Sequence, residues 1–162
     1  MEKELSTLED FKIEYNKLKD EYGLPEFNEL NTFFDIEEID IETDFLLRKI
    51  RRTISDKITG YLRFIEIILN PSNAPIFFFN LIKKLDSNDK KKLMDIYEKL
   101  GKIEIEIIKL DLTYDKKMEA EFIKKLYEIF KKELSTELRI IIEKMDDGDN
   151  NKKNKGKVSY FG

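Results

Sequence analysis

The chain is expected to fold as an all-α helical bundle of four longer helices plus one short helix, with a disordered C-terminal tail. Two observations predict this. Apolar residues recur at steps of three and four through most of the 162 residues, which is the period of a helix with one buried face. The three prolines, Pro25, Pro71 and Pro75, stand at the edges of those runs and punctuate them. No repeat of fixed period occurs, so a solenoid is not expected.

The first helix is predicted over 7–22. Ser6, Thr7 and Glu9 have capping-box character, and Leu8, Phe11, Tyr15, Leu18 and Tyr22 form a heptad-like seam. Gly23 suits the residue after the helix. This helix either docks on the body or is semi-independent, and its Leu8–Tyr22 seam offers a homodimer surface. A short helix, 25–34, follows with Phe27, Leu30 and Phe34 on one side. The acidic stretch 35–42 fits neither period. It is read as an irregular connector whose isoleucines touch the core.

The segment 44–69 has the longest clean period. Leu47, Ile50, Ile54, Ile58, Tyr61, Ile65 and Ile68 share one face. Thr43 or Asp44 is the expected cap, and Asn70-Pro71 ends the helix. A compact helix, 75–85, contains Ile76, Phe77, Phe78 and Phe79, the most apolar point of the chain. Asp86 or Ser87 should cap the next helix, 89–112, whose stripe is Leu93, Ile96, Leu100, Ile103, Ile107 and Leu110. Tyr97, Ile105, Ile108 and Leu112 widen its apolar surface. The three-residue connection 113–115 predicts an antiparallel neighbour over 116–145. That last helix changes phase near Ser135-Thr136, where a bend or break is expected. The tail, 146–162, is rich in Asn, Lys and Gly and ends on an apolar tip. One domain over 1–145 is the expected organisation.

Composition excludes several functions. Charged residues make up 40% of the chain against 41% hydrophobic, with a net charge of −4, which argues against indiscriminate nucleic-acid binding. There is no cysteine and no histidine, so thiolate sites and Glu-x-x-His metal sites are not expected. The opening MEKELSTLED lacks an apolar core and does not read as a signal peptide. No apolar run is long enough for a membrane span. The cytoplasm is the expected location. No phosphate-binding loop, dinucleotide fingerprint or nucleophile elbow occurs. No catalytic, cofactor-binding or metal-binding residue is assigned, no cofactor is expected, and the chain is not expected to be an enzyme.

Three contact surfaces remain. Arg48, Lys49, Arg51, Arg52 and Arg63 form a basic group on 44–69, which holds four of the five arginines. Arginine offers a planar fork to phosphate or carboxylate that lysine does not. The simpler reading is a solvated face paired with Asp44, Asp56 and Glu66. The second surface is aromatic: Phe77, Phe78 and Phe79 as docking residues, although the run 76–79 with Phe33 and Phe34 reads first as core. Three consecutive phenylalanines cannot all face one way on a helix, so at least one ring should lie at a partner surface or under the tail. The third is the tail tip, Tyr160, Phe161 and Gly162, a short motif on a polar leash.

The stretches 24–27 (LPEF), 45–52 (FLLRKIRR), 69–75 (LNPSNAP) and 159–162 (SYFG) together resemble a family of small uncharacterised all-helical archaeal proteins. The resemblance implies an archaeal, cytoplasmic protein. It carries no activity and transfers no functional residue. The function expected from these features is a non-enzymatic adaptor or regulatory module that docks an unknown protein partner through the aromatic patch, the tail tip or both. The alternative is an RNA- or ribosome-associated factor that binds phosphates through the group from Arg48 to Arg63.

Overall fold

A computed structural model describes residues 7–39 and 45–154. The described residues are helical throughout, with no strand among them. Helix α1 is Leu8–Tyr22, α2 Phe27–Phe34, α3 Leu46–Leu69, α4 Ile76–Ile82, α5 Ser87–Leu112, α6 Lys116–Ile129 and α7 Ser135–Asn154. The all-α bundle expected from the periodicity is what the chain forms.

Helix α3 is the centre, and both α5 and α6 pack along it. The reason lies in its sequence. Leu47, Ile50, Ile54, Ile58, Ile65 and Ile68 are all buried, as the spacing predicts, while Tyr61 is only partly so. Thr43 and Asp44, the expected caps of α3, lie outside the described residues. Phe45 stands at the N-cap position without a side-chain cap bond.

Helices α5 and α6–α7 run antiparallel, and a ladder of ion pairs reports their register. Glu106 meets Lys125 at 2.5 Å, Lys99 meets Glu133, Lys92 meets Glu137 at 3.5 Å, and Asp89 meets Lys144 at 2.5 Å. As the α5 partner falls from 106 to 89, the other climbs from 125 to 144. The bottom rung is the most built. Asp86 caps α5 by accepting from the Asp89 N–H at 2.8 Å, and the Asp89 carboxylate accepts from the Asp86 N–H at 3.1 Å. The Lys144 hydrogen bond, opposed by burial and helped by the Asp86 N–H, holds the Asp89 carboxyl below the usual carboxylate range.

The break expected near Ser135-Thr136 is not a break. Phe130–Leu134 is a π-helical turn that joins α6 to α7 without interrupting the helix. Buried residues Phe122, Leu126, Phe130, Leu134 and Leu138 recur every four positions. In an α-helix each such step overshoots the turn by about 40°. A turn of wider period cancels the drift and keeps one face on the core.

Two further differences concern the ends. Helix α1 packs in cis on α2 and α6. Phe11 and Tyr15 have no exposed surface, their rings meet the edge of Phe27, and the Tyr15 hydroxyl donates to the Pro25 carbonyl at 2.8 Å. Phe11 and Tyr15 of the Leu8–Tyr22 seam are thus covered by the chain itself, while Leu8 is exposed. Thr7 caps α1 by accepting from the Asp10 N–H, and Gly23 closes it at φ 67°, a conformation that favours glycine. At the other end α7 stays helical to Asn154, nine residues beyond the limit read from the sequence. Gly148 alone costs only about 1 kcal/mol in a helix, and propagation adds one bond per residue. The connector isoleucine Ile36 is buried in a 3₁₀ turn, Ile36–Glu38, as expected of a core-touching segment.

Two measurements check this packing. Ile54→Ala should lower stability by about 2–5 kcal/mol in urea unfolding, because the residue is fully buried in α3. Asp89 binds its proton less readily folded than unfolded, so its contribution is complete above about pH 4 and fades as pH falls through its lowered folded value. Urea midpoints at pH 7 and pH 3 should therefore differ less in Asp89→Asn than in the parent; equal differences would refute the role.

Candidate functional site

The arginines of α3 do not form a solvated stripe. Arg51 points into the corner where α5 ends and α6 begins, and it has no exposed surface. Its Nε donates to Glu119 Oε2 at 2.7 Å, and its Nη2 donates to Asp111 Oδ1 at 2.8 Å and Glu119 Oε1 at 3.3 Å. Glu119 is equally buried, and its Oε1 also accepts from Arg48 Nε at 3.3 Å. Arg48 Nη2 donates to the Leu110 carbonyl at 2.9 Å, so it satisfies one of the free carbonyls in the last turn of α5. The Arg48 guanidinium also lies 4.9 Å from the Tyr114 ring centre, and Phe45 covers that ring edge-on at 5.0 Å. Arg52 reaches Asp111 at 3.5 Å from the surface.

Local sequence explains the arrangement. Asp115 caps α6 by accepting from the Met118 N–H at 2.8 Å, which starts the helix one turn before Glu119. The Glu119 carboxylate thus sits near the positive end of the α6 dipole as well as beside two guanidinium groups. Burial alone would push the Asp111 carboxyl up. The hydrogen bond from Arg51, with the charges of Arg51 and Arg52, outweighs this and holds it below the usual range. Burial opposes the Arg51 charge, but bonds to Glu119 and Asp111 more than offset it and raise its pKa. One nitrogen, Arg51 Nη1, has no hydrogen-bond partner among the described residues.

The five basic candidates therefore have separate fates. Arg48 and Arg51 are committed to carboxylates of α5 and α6, Arg52 shares Asp111, Lys49 is half-buried, and Arg63 is exposed. Arg63 lies about 17 Å from Arg52 along the helix axis. The structure brings three arginines together, but around acids of their own chain. Spacing along one helix had pointed to Asp56 and Glu66 instead; partners 60 and 68 positions away leave no periodic trace.

The aromatic candidates divide differently. Phe34 is buried and Phe33 partly so, packed on Phe130 and Tyr127. Ile76 is 83% exposed, Phe77 63% and Phe79 37%, while Phe78 turns inward. The core reading of 76–79 thus holds only for Phe78. The signal was present: Phe78, Leu81, Ile82 and Leu85 have the spacing of one inner face and leave Ile76, Phe77 and Phe79 outside it. Tyr160, Phe161 and Gly162 lie outside the described residues.

Among the described residues no group of three or more acids is placed to hold a metal ion. An open cleft of about 440 Å³ between α5 and α6 has Leu110, Met118 and Phe122 as its apolar lining and Glu106 and Lys125, already paired, across it. No helix among the described residues is long and apolar enough to cross a membrane. No family model, curated protein or solved structure matches the chain.

The buried corner predicts a sharp asymmetry. Glu119→Ala leaves the buried Arg51 guanidinium with Asp111 alone and strips Arg48 of its carboxylate, and should cost about 3–5 kcal/mol. Replacing both, Arg51→Met with Glu119→Leu, should recover most of that loss, because two apolar side chains need no ionic partner. Urea unfolding of the two variants decides it; a double variant as weak as the single would show that the pair is net stabilising.

Proposed function

We propose that the protein is a non-enzymatic interaction module, an adaptor or regulator, that docks a protein partner through the outer face of α4. The observation that carries this reading is the exposure of Ile76, Phe77 and Phe79 side by side on one short helix. Phe78, Leu81, Ile82 and Leu85 hold that helix from beneath, so the outer side chains stand on a fixed platform. Adjoining large apolar groups on a fixed surface favour a protein partner, since desolvating aromatic rings is the main source of interface energy. The tip residues Tyr160, Phe161 and Gly162 belong to the same proposal as a second contact. A cytoplasmic, archaeal setting belongs to it too.

The phosphate-binding alternative is less well supported, because Arg48 and Arg51 already answer buried acids. A photo-crosslinking residue at position 77, introduced in cells of the source organism, distinguishes the two. The expected product is a discrete adduct with one protein, lost when Ile76→Asp and Phe79→Asp are added. These exposed substitutions should leave the thermal midpoint almost unchanged, within about 0.5 kcal/mol. No adduct, an adduct indifferent to those changes, or one removed by nuclease would overturn the reading.

A further inference from the structure

Helix α5 is apolar on two sides. Leu93, Leu100, Ile103 and Leu110 are buried against the bundle. On the opposite side Ile105 is 57% exposed, Ile108 60% and Leu112 80%. These three are spaced by three and four residues, so they form one continuous row on a helix. Gly101 extends the row by another step of four, and nothing lies within 4 Å of where its Cβ would stand. The row has the spacing of a coiled-coil seam, with Gly101 and Ile108 at d and Ile105 and Leu112 at a. The core residues Ile103 and Leu110 then fall at f, directly opposite, as their burial requires.

The geometry points to a second copy of this chain as the occupant of that seam, packed with its α5 parallel to the first. The charges beside the seam choose both the partner and the direction. In this register Lys102 and Lys109 are at e, and Glu104 and Asp111 at g. In a parallel pair a g residue faces the e residue five positions on in the other helix, which sets Glu104 against Lys109 of the other copy, twice by symmetry. In an antiparallel pair e faces e and g faces g. That sets Lys102 against Lys109, twice by symmetry, and brings Glu104 near Asp111, whose charge Arg51 and Arg52 already answer. A chain matched to itself only in the parallel sense is complementary to its own copy.

Position 98 bounds the contact. Glu98 is the a residue before Gly101, and in a parallel pair it faces Glu98 of the other copy. Contact therefore ends at Gly101 and covers 101–112, about 18 Å of helix. Two heptads do not make a free-standing coiled coil, but α5 is already folded against the bundle, so no helix has to be nucleated on association. The missing side chain of Gly101 lets the two backbones approach at that end. This surface is separate from α4 and does not rest on its docking role.

Sedimentation equilibrium tests the pairing on the full chain. The expected mass rises from 19.4 kDa toward twice that value with concentration. Ile108→Glu should return it to the single-chain mass with an unchanged far-UV spectrum, because the residue is exposed in the monomer. Lys109→Glu should weaken association roughly three- to tenfold. Adding Glu104→Lys should restore it, and Glu98→Leu should strengthen it. Phe77→Asp, on α4, should change nothing. The chain has no cysteine, so Ile108→Cys gives a clean test of direction. A parallel pair brings that residue against itself and forms an interchain disulfide. An antiparallel pair places it against position 105, so a mixed Ile105→Cys and Ile108→Cys disulfide would form instead and overturn the parallel arrangement. A single-chain mass persisting to ~1 mM, or a dimer indifferent to Ile108→Glu, overturns the proposal itself.

Discussion

Arg51 is the largest side chain without exposed surface among the described residues, and it carries a permanent charge. Taking such a group out of water costs several kcal/mol unless carboxylates replace the water. Glu119 and Asp111 do so, one from the start of α6 and one from the end of α5. Neither can arrive unless α5 stops at Leu112, the chain turns within three residues, and α6 starts at once. The corner between those helices is thereby fixed against the N-terminal half of α3. Apolar stripes alone do not fix it so firmly. A stripe can slide by one turn, about 5.4 Å, and still find apolar neighbours, whereas a fork bonded at 2.7–3.3 Å cannot.

From that corner the two long helical rods, α5 and α6–α7, run side by side to the far end, and the same problem recurs in another form. They must stay in contact over many turns while the apolar residues of the second recur every four positions. The π turn at Phe130–Leu134 absorbs the mismatch. It sits where Phe33, Phe34 and Tyr61 converge on Phe130, so the widened turn is surrounded by rings that fill the space it opens. The ion pairs beside it, Lys99 with Glu133 in the turn itself and Lys92 with Glu137 just beyond, are at least partly exposed and individually weak. Their value is in agreement: each is satisfied by one register and lost in the next.

How much of this was legible in the chain depends on the range of the interaction. The helices, their order and the inner faces of α3 and α5 follow from spacing within a few residues, and Ile50, Ile54, Leu100 and Ile103 lie where the period puts them. The phase change near Ser135 was visible too, although its remedy was a wider turn rather than a break. The core reading of 76–79 fails for Phe77 and Phe79, and the docking reading for Phe78, because local hydrophobicity does not say which face a ring takes; the inner spacing of Phe78, Leu81, Ile82 and Leu85 does. The role of Arg51 was not legible. Its partners are 60 and 68 residues away, and an arginine on the flank of an apolar stripe has the same sequence pattern whether it meets a buried acid or solvent.

The outer surfaces bear on why this chain keeps apolar groups it does not bury. Scattered residues such as Ile13 and Met94 need no explanation, since much of any folded surface is apolar. Adjoining groups differ. With 40% of its residues charged, the chain has lysine and glutamate at many outward positions, including Glu104, Glu106 and Lys109 beside Ile105 and Ile108. Nothing within the bundle requires isoleucine at 105 or 108, leucine at 112, or rings at 77 and 79, because none of these side chains is buried. Fold stability would be served equally by polar side chains there, and solubility better. The contacts between molecules proposed above would give them a role. The two surfaces differ in what borders them: charges of both signs in a seam register on α5, and two aromatic rings with few charges on α4. The first arrangement suits a helix of matching charge order, and the second an apolar pocket in a different protein.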